Sequence, residues 1–498
     1  MAVKVTSRPL ADVSADAIIA LHDGGKLFAH SANALLRKHF ESFAKAVKEK
    51  KSKREWFCTL ATAAGVRAKY LLLESTNFGA TGMPGDEALK SAAARAVALC
   101  RDHGITKVAF ACHCDDAARV ASAILEGALL GDFHDVRFKG TAGKREARPS
   151  LSLEFVVNPG DEDSVREALS QAEIIVEAQN HARELTNAPH HVLTPQTMAA
   201  YATALARRHK IECTVLNEKQ LQKMGYLPTW EVGRGSEYPP RMMVLRYKPK
   251  RTAIKEHIAL VGKGMTYDTG GLCIKGRPDM HRMNNDMGGA AAVLGALEAI
   301  ARLKLPVRVT VIIASAHNAV DGAAYHPGAI LKARNGKTIY IENTDAEGRL
   351  ILSDCFYRAG EEKADIMWDF ATLTGAVSAA LGPNIAGLFT DDLALRQLFM
   401  EAAGDTGDNL WPLPLVPEYE PSLKHNLADL NNMSSETAGN GLHAANFLKA
   451  FVPEKMRWVH VDIAGVAAFT KPRRYFRTGG TGFGVRLIVE ALRRLTAR

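Results

Sequence analysis

The stretch HIALVGKGMTYDTGG, residues 257–271, contains the two features that decide the fold of this chain. Its first part, 257–261, is a continuous apolar run, which is the pattern of a strand buried on both faces of a parallel sheet. Its second part is a glycine-rich turn around Asp268, where the backbone can approach a ligand closely. Because ligands of open α/β sheets bind beyond the carboxyl ends of the strands, we expect functional residues here.

Similar apolar runs predict three more buried strands, at 307–314, 366–370 and 458–463. Between them lie helical stretches such as 288–302, whose apolar residues recur at helical spacing. Strands that alternate with helices favour a mostly parallel sheet with helices on both faces. We therefore predict a large α/β domain over residues 191–498.

The first 162 residues predict a smaller α/β domain. Its strand and helix candidates are 17–21, 56–61, 70–74, 107–111 and 151–157 for strands, and 86–103 and 117–130 for helices. The turn at 158–161 breaks this pattern, and a long helical stretch follows it at 163–185. Pro189 ends that helix, because the position before a proline disfavours helix. We predict a connecting helix over residues 163–190.

Composition and length limit the class of protein. The chain has 498 residues, of which 47% are hydrophobic and 23% charged, which is typical of a globular protein with two or three domains. No apolar run is long enough to span a bilayer, and the N-terminus lacks a signal-peptide pattern. Seven scattered cysteines, an odd number, imply no disulfide framework. We expect a cytoplasmic protein without a membrane partner.

The net charge of +9 raises the question of an anionic partner. The densest basic run, KAVKEKKSKR at 45–54, lacks the interleaved aromatic residues or recognisable fold of a nucleic-acid arm, so a solvated helix face is favoured. Cys112 and Cys114 flank His113, but a zinc site there would lack a second pair of ligands. A strand end with small apolar thiols is the favoured interpretation.

Charged residues collect in the turns that follow the predicted strands of the large domain. They are the acids Asp268, Asp286, Asp345 and Glu347 and the bases Lys263, Lys275 and Arg349. One such acid, Asp286, could equally be the cap of the helix at 288–302. Several converging carboxylates, however, repel one another unless cations lie between them. Oxygen donors suit Mg, Mn or Zn, and two such ions about 3.5–4 Å apart would activate water.

Other catalytic motifs do not fit. GKT at 336–338 resembles the end of a phosphate-binding loop, but Leu331 occupies the position of the leading glycine. The sequence contains neither a His-Glu-x-x-His motif nor a Gly-x-Ser-x-Gly elbow, which argues against zincins and the commonest serine hydrolases. A two-metal phosphoesterase is disfavoured because the strand-end turns are nearly free of histidine, a usual ligand in such enzymes.

The octapeptide NTDAEGRL at 343–350 resembles the signature of the leucyl (cytosol) aminopeptidase family of dinuclear metal exopeptidases. The likeness continues in GKGMTYDTGG at 262–271, DMGGAAAV at 286–293, ATLTGA at 371–376, HVDIAG at 460–465 and TGFGVRL at 481–487. It covers nearly all of residues 183–498, whereas the first 160 residues match only in size and α/β character. Departures from the family at Asn284, His317, Ala329 and Tyr340 lie outside the expected ligands.

The resemblance implies two divalent ions per subunit, Zn or Mn, with Mg and Co as further candidates. It implies these ligands: Lys263, Asp268, Asp286 and Glu347 for one ion, and Asp268, Asp345 (side chain and carbonyl) and Glu347 for the other. Asp268 and Glu347 would bridge the ions. As a ligand, Lys263 would be neutral, which requires nearby cations to lower its pKa.

The resemblance also implies the catalytic roles. A hydroxide that bridges the two ions would attack the scissile carbonyl, and charged Lys275 would stabilise the resulting oxyanion. Arg349 would hold a bicarbonate anion that relays the proton from the attacking water. The residues implied to bind the substrate are Met283, Thr372, Leu373 and Gly375.

As a whole, the resemblance implies that residues 191–498 form the catalytic domain of a metal-dependent aminopeptidase. Its substrates would be peptides, with a preference for apolar N-terminal residues such as Leu. A narrower alternative is a dipeptidase, for instance for Cys-Gly, and a second class of alternative is an additional DNA-binding regulatory role, which the net charge permits. Relatives assemble as hexamers, so we expect a homohexamer.

Overall fold

The computed structural model of the chain describes residues 2–23, 26–27, 56–60, 67–75 and 85–497. The chain forms two compact units, one from Met1–Val176 with Lys471–Arg477 and the other from Glu177–Thr470 with Thr478–Arg498. The predicted divisions after residues 162 and 190 stay a prediction. The basic stretch at 45–54 lies outside the described residues, as does residue 61 of the predicted strand at 56–61.

The first unit is the small α/β domain that the sequence predicted. Its strands are β1 (Ala2–Thr6), β2 (Ala17–Asp23), β3 (Lys26–Leu27), β4 (Trp56–Leu60), β5 (Tyr70–Ser75), β6 (Lys107–Ala111) and β7 (Ser152–Val156). They form one sheet in the order β1-β7-β6-β2-β5-β4, in which β4 is antiparallel to β5 and β3 pairs antiparallel with β2. Its helices are α1 (Gly85–Asp102), α2 (Ala117–Asp132) and α3 (Thr141–Glu146).

A short segment from the C-terminal part of the chain, Lys471–Arg477, belongs to this first unit. Tyr475 is buried there, and its hydroxyl donates to the carboxylate of Glu87 at 3.3 Å. A Cβ added to Gly131 of α2 would stand 3.5 Å from the carbonyl oxygen of Tyr475. The segment therefore lies against α2 at this glycine. The segment is therefore part of the packing of the first unit rather than a surface loop of the second.

The second unit is built on an eight-stranded sheet. The strands of this unit are β8 (Glu212–Leu216), β9 (Arg241–Tyr247), β10 (His257–Asp268), β11 (Arg308–Asn318), β12 (Ile330–Lys332), β13 (Thr338–Tyr340), β14 (Ile366–Ala371), β15 (Ala386–Phe389), β16 (Leu410–Leu413), β17 (Leu430–Asn431), β18 (Arg457–Asp462), β19 (Ala468–Phe469) and β20 (Gly479–Gly480). The main sheet has the order β16-β15-β18-β14-β10-β11-β9-β8. Its four central strands, β18, β14, β10 and β11, are mutually parallel, as predicted. The antiparallel pairs lie towards its edges.

Helices cover both faces of this sheet, which confirms the predicted fold class. The helices that follow α3 are α4 (Glu162–Asn187), α5 (Pro195–His209), α6 (Glu218–Met224), α7 (Leu227–Gly233), α8 (Arg277–Met280), α9 (Gly288–Leu303), α10 (Gly348–Glu361), α11 (Gly375–Leu381), α12 (Leu393–Thr406), α13 (Asn440–Lys449) and α14 (Val485–Ala497). The adjacent residues Gly262 and Lys263 point to opposite faces of β10. Ala290 of α9 packs on the first residue and Gly348 of α10 on the second.

Strand β10 is longer than the sequence indicated. The predicted strand ended at residue 261, but β10 continues to Asp268, paired with β11 over its whole length with one irregularity between Met265 and Tyr267. Its glycines mark close packing rather than a turn, because a Cβ on Gly262 would stand 2.7 Å from the Ala290 Cα. The turn begins after Asp268, where Gly270 and Gly271 have positive φ angles. As a result, Lys263 and Asp268 project from a rigid strand.

Among the described residues, no helix combines the length and the apolar character that crossing a bilayer requires.

Candidate metal centre and substrate cleft

Three acidic side chains converge at the carboxyl end of β10. Asp268 ends that strand, Asp286 follows a 3-10 turn at Met283–Asn285, and Glu347 directly precedes α10. All three are buried, and one carboxylate oxygen from each lies within 4.8 Å of the other two. Residues separated by many positions in the sequence thus share one small volume. This is the convergence that the strand-end rule predicted.

Two lysines lie between these acids. Lys263 Nζ is 2.8 Å from Asp286 Oδ1 and 3.0 Å from Glu347 Oε1. Lys275 Nζ is 2.8 Å from Asp268 Oδ2 and 2.5 Å from Asp345 Oδ1, so it joins the fourth predicted acid to the cluster. The structure therefore brings together all six of these side chains.

Burial and mutual repulsion raise the pKa values of the carboxylates in this cluster. Burial raises the pKa of Asp286 to about 7, with Glu347 and Asp268 adding to the rise and Lys263 opposing it. Burial likewise raises the pKa of Asp345 to about 7, and it raises that of Glu347. Burial alone would lower the pKa of Lys263, but the surrounding carboxylates raise it above its usual value. The cluster thus has an excess of negative charge.

This donor set fits a divalent metal centre. Four carboxylates face two ammonium groups, and Glu347 Oε2 is buried with no hydrogen-bond partner among the described residues. A buried anionic oxygen without a partner costs free energy that a bound cation removes. Carboxylate oxygens are the ligands that hard and borderline divalent cations prefer. The residues that are present therefore suit the ions that the sequence implied.

Sequence reasoning missed the amide that fixes Asp268. Asn318 Nδ2 donates to Asp268 Oδ1 at 2.8 Å and to the Thr344 carbonyl at 3.0 Å, and the Tyr325 hydroxyl donates to the same carbonyl at 2.7 Å. Asn318 therefore ties β10 to the loop that contains Asp345. The sequence did contain one signal, because Asn318 is a polar residue that follows the apolar run of β11. The sheet register places it directly beside Asp268.

Arg349 lies in the first turn of α10 and is buried. Its Nη1 donates to the Asn432 carbonyl at 2.6 Å, whereas its Nε is buried with no hydrogen-bond partner among the described residues. Burial lowers the pKa of Arg349 to about 10, and the charges of Glu347 and Asp462 oppose this effect. A guanidinium with an unsatisfied N–H in such a place suits a small anion.

Asn432 was also missed, and it holds the loop before α10 in place. Its Oδ1 accepts from the backbone N–H groups of Glu342 and Asn343 at 2.9 and 3.2 Å, and its Nδ2 donates to the Asn343 carbonyl at 2.6 Å. The same residue accepts from Arg349 through its backbone carbonyl. Asn432 thus fixes both the start of the acidic loop and the guanidinium.

A cavity of about 220 Å³ opens beside this centre. It is lined by Lys275, Asn343, Asp345, Ala346, Glu347, Gly348, Arg349, Leu373, Thr374, Gly375, Ala376, Met433 and Asn440. Two of the residues implied to bind substrate, Leu373 and Gly375, are in this lining. Thr372 faces the acidic cluster instead, where its hydroxyl donates to Asp286 at 2.6 Å and its carbonyl accepts from Lys263 at 2.9 Å. Met283 lies in the 3-10 turn before Asp286 and outside this lining.

Comparisons with known proteins agree with this site. Residues 180–489 match the model of the "Cytosol aminopeptidase family, catalytic domain". The "Probable cytosol aminopeptidase" of Solibacter usitatus is 38% identical and covers 98% of each chain, and that of Aquifex aeolicus is 44% identical over 77% of this chain and 76% of its own. A solved structure, "Bottromycin maturation enzyme BotP in complex with Mn", superposes with a TM-score of 0.83 at 31% identity, covering 97% of this chain and 100% of its own.

The fold and the acidic centre together define a metal-dependent hydrolase. The chain belongs to the cytosol aminopeptidase family, and it is a metal-dependent aminopeptidase, as the sequence motifs predicted. The similarity to the Solibacter protein over 98% of the chain also extends the likeness into the first unit, beyond the size and α/β character that the sequence had indicated.

Proposed function

We propose that this chain removes N-terminal residues from peptides at a centre of two divalent cations, with a preference for apolar residues such as Leu. The observation that carries the proposal is the convergence of Asp268, Asp286 and Glu347 within 4.8 Å, with Glu347 Oε2 buried and unpartnered among the described residues. When bound, the two cations would activate a water molecule and polarise the scissile carbonyl.

The proposed ligands are the acids and the amine that already share this volume. They are Lys263, Asp268, Asp286, Asp345 and Glu347. The solved BotP structure is a complex with Mn, which supports Mn as one candidate for this chain. The oxygen-rich donor set supports Zn as well.

Other side chains of the chain act on the substrate. Lys275 lies at the wall of the cavity, where its ammonium can stabilise a negative charge that develops on the carbonyl oxygen. Arg349 can hold a bicarbonate anion, which its unpartnered Nε and its place beside the cavity support. The anion would accept a proton from the attacking water.

The cavity offers a substrate apolar surface beside its charged and polar groups. Leu373, Ala376, Met433 and Ala346 contribute apolar surface to it, and the backbone at Leu373 and Gly375 can bind the substrate main chain. We propose Met283 and Thr372 as further substrate-binding residues that act from the edge of the site. A homohexamer and a cytoplasmic location complete the proposal, the location supported by the names of the relatives.

Hydrolysis of leucine p-nitroanilide after reconstitution with Mn or Zn tests this proposal. We expect turnover by the unmodified protein and a loss of at least about 10²-fold in kcat/KM in Asp345→Ala, because an essential ligand is removed. Asp391→Ala is the matched control, because it removes an exposed acid that pairs with Lys449 on the surface. Absence of turnover in the reconstituted protein, or full activity of Asp345→Ala, would contradict the proposal.

A comparison of substrates separates the narrower alternative. A broad aminopeptidase cleaves leucine from tripeptides and longer peptides about as well as from dipeptides, whereas a dipeptidase acts on Cys-Gly and fails on longer chains. The kcat/KM values of Leu-Gly, Leu-Gly-Gly and Cys-Gly decide between these two outcomes.

A further inference from the structure

A buried carboxylate behind the cleft holds the segment that forms one of its walls. Asp462 ends β18 and is buried. Its Oδ1 accepts from the Leu373 N–H at 3.2 Å, and its Oδ2 accepts from the N–H and the hydroxyl of Thr374 at 3.0 and 2.7 Å. A fourth bond comes from the Ala464 N–H at 3.1 Å. Three of the four bonds therefore go to two consecutive residues of the cleft wall.

The opposite side of the same segment faces the reaction site. Leu373, Thr374 and Gly375 line the cavity, and Thr372 contacts both Lys263 and Asp286. The segment is short and follows β14 directly, before helix α11 begins at Gly375. Its position is therefore set by β14 at one end and by Asp462 from behind.

Neighbouring charges favour the ionised form of Asp462. Burial raises its pKa, while His460 and the hydrogen bonds from Thr374 oppose this rise. His460 in turn is paired with Asp369, Nδ1 to Oδ1 at 2.6 Å. Burial would lower the pKa of His460, but Asp369 raises it above its usual value. The His460 ring thus lies beside two carboxylates, of which only Asp462 bonds to the cleft wall among the described contacts.

We propose that Asp462 is a positioning residue for the aminopeptidase reaction: it orients the backbone of Leu373 and Thr374 so that the cleft wall binds the substrate main chain. This inference rests on the proposed function. A purely structural role would lower stability and leave the substrate affinity unchanged, so the two roles are separable by experiment.

The variant Asp462→Asn removes the charge with little change in shape. Either orientation of the new amide turns an NH₂ group towards a backbone N–H that the carboxylate accepted, so the wall segment loses part of its anchor. We expect KM for leucine p-nitroanilide to rise about tenfold or more, with a smaller change in kcat. Amide hydrogen exchange at residues 373–374 should accelerate in the same variant.

Asp369→Asn is the matched control, because it removes the other buried carboxylate beside His460, which has no hydrogen bond to residues 372–375 in the described part of the chain. We expect a loss of thermal stability in this variant, with KM within about twofold of the unmodified protein. Equal KM values in the two variants, or an unchanged exchange rate at 373–374 in Asp462→Asn, would overturn the inference.

If Asp462→Asn does not fold, Thr374→Val tests the same contact from its other side. Valine keeps the shape of threonine but removes the hydroxyl that donates to Asp462 Oδ2. A higher KM and faster exchange at residue 373 support the inference, and an unchanged KM contradicts it. A lack of turnover by the unmodified protein would count against the proposed function instead, which keeps the two failures distinct.

Discussion

Asp354 is a carboxylate that folding places in a fully buried position of α10. Its Oδ2 accepts from the Thr229 N–H at 2.8 Å, but its Oδ1 is buried without a partner among the described residues. Burial raises its pKa to about 7, against the opposing effect of the Thr229 hydrogen bonds. The folded protein therefore holds the proton of Asp354 more tightly than the unfolded chain does.

The sign of this shift predicts how stability depends on pH. Because the folded state holds the proton more tightly, the contribution of Asp354 is most favourable below its unfolded pKa of 3.8 and is lost as the pH rises through about 7. We expect Asp354→Asn, which cannot ionise, to gain stability relative to the unmodified protein between pH 5 and pH 8. The pH-dependent part of this gain in the free energy of unfolding is of the order of 4 kcal/mol at most.

Denaturant unfolding of both proteins at pH 5, 6.5 and 8 measures this difference. Working with the difference cancels the pH dependence of all other groups that the substitution leaves unchanged. A constant difference across this range would mean that Asp354 is ionised in the folded state at pH 5, and the prediction would be wrong.

The charged residues of the centre could be predicted from the sequence because they follow apolar strands and stand in recognisable motifs. Asn318 and Asn432 could not, because an amide in a loop is common and the bonds it makes depend on the tertiary structure. Asp462 is an intermediate case, since it stands in the motif HVDIAG at 460–465 but its partners, Leu373 and Thr374, follow a different strand.

At the scale of elements, the packing of α9 on the central strands determines where Asp286 lies. Gly289, in the first turn of α9, approaches β14 so closely that a Cβ there would stand 1.9 Å from the Phe370 carbonyl oxygen. The same Cβ would stand 3.0 Å from the Lys263 backbone nitrogen. Backbone atoms surround this position, so no side chain can move aside to make room.

Gly289→Ala should therefore destabilise the protein although alanine is the better helix former. We expect a loss of more than about 2 kcal/mol in the free energy of unfolding, because α9 must shift away from the sheet. Gly404→Ala is the control, since Gly404 lies in helix α12 and a Cβ there meets nothing within 4 Å. That change should stabilise by about 0.5–1 kcal/mol. Calorimetry that ranked the two variants in the opposite order would contradict this account of the packing.

Apolar runs predicted the central parallel strands because a strand buried on both faces has little room for polar residues. The length of β10 could not be predicted in the same way. Its C-terminal half, GKGMTYD at 262–268, contains two glycines and a lysine, which favour a turn when neighbouring residues alone are considered. Pairing with β11 and the close approach of α9 supply the stabilisation that the local sequence lacks.

At the scale of the whole molecule, the acidic centre links stability to metal binding. The four carboxylates of this centre outnumber its two ammonium groups, so the carboxylates repel one another in the folded state and separate when the chain unfolds. A cation that binds only the folded state stabilises the protein more as the cation concentration rises. The free energy of unfolding increases by about 2.7 kcal/mol when the cation concentration is a hundred times the dissociation constant.

We expect added Mn to raise the melting temperature of the full chain and excess chelator to reverse the rise. In Asp345→Ala the rise should be smaller at each Mn concentration, because one of the proposed ligands is lost. Differential scanning calorimetry over a series of Mn concentrations measures both effects. An equal rise in both proteins would indicate that Mn binds elsewhere.

The segment Lys471–Arg477, which completes the packing of the first unit, has a consequence for biosynthesis. A ribosome makes the chain from its N-terminus, yet the first unit contains residues 471–477, which are made only after most of the second unit. The unit that begins first therefore stays incomplete until most of the second unit has been made. Until then, the Glu87 carboxylate lacks the hydroxyl of Tyr475 as a hydrogen-bond donor, and the first unit lacks the packing that this side chain supplies.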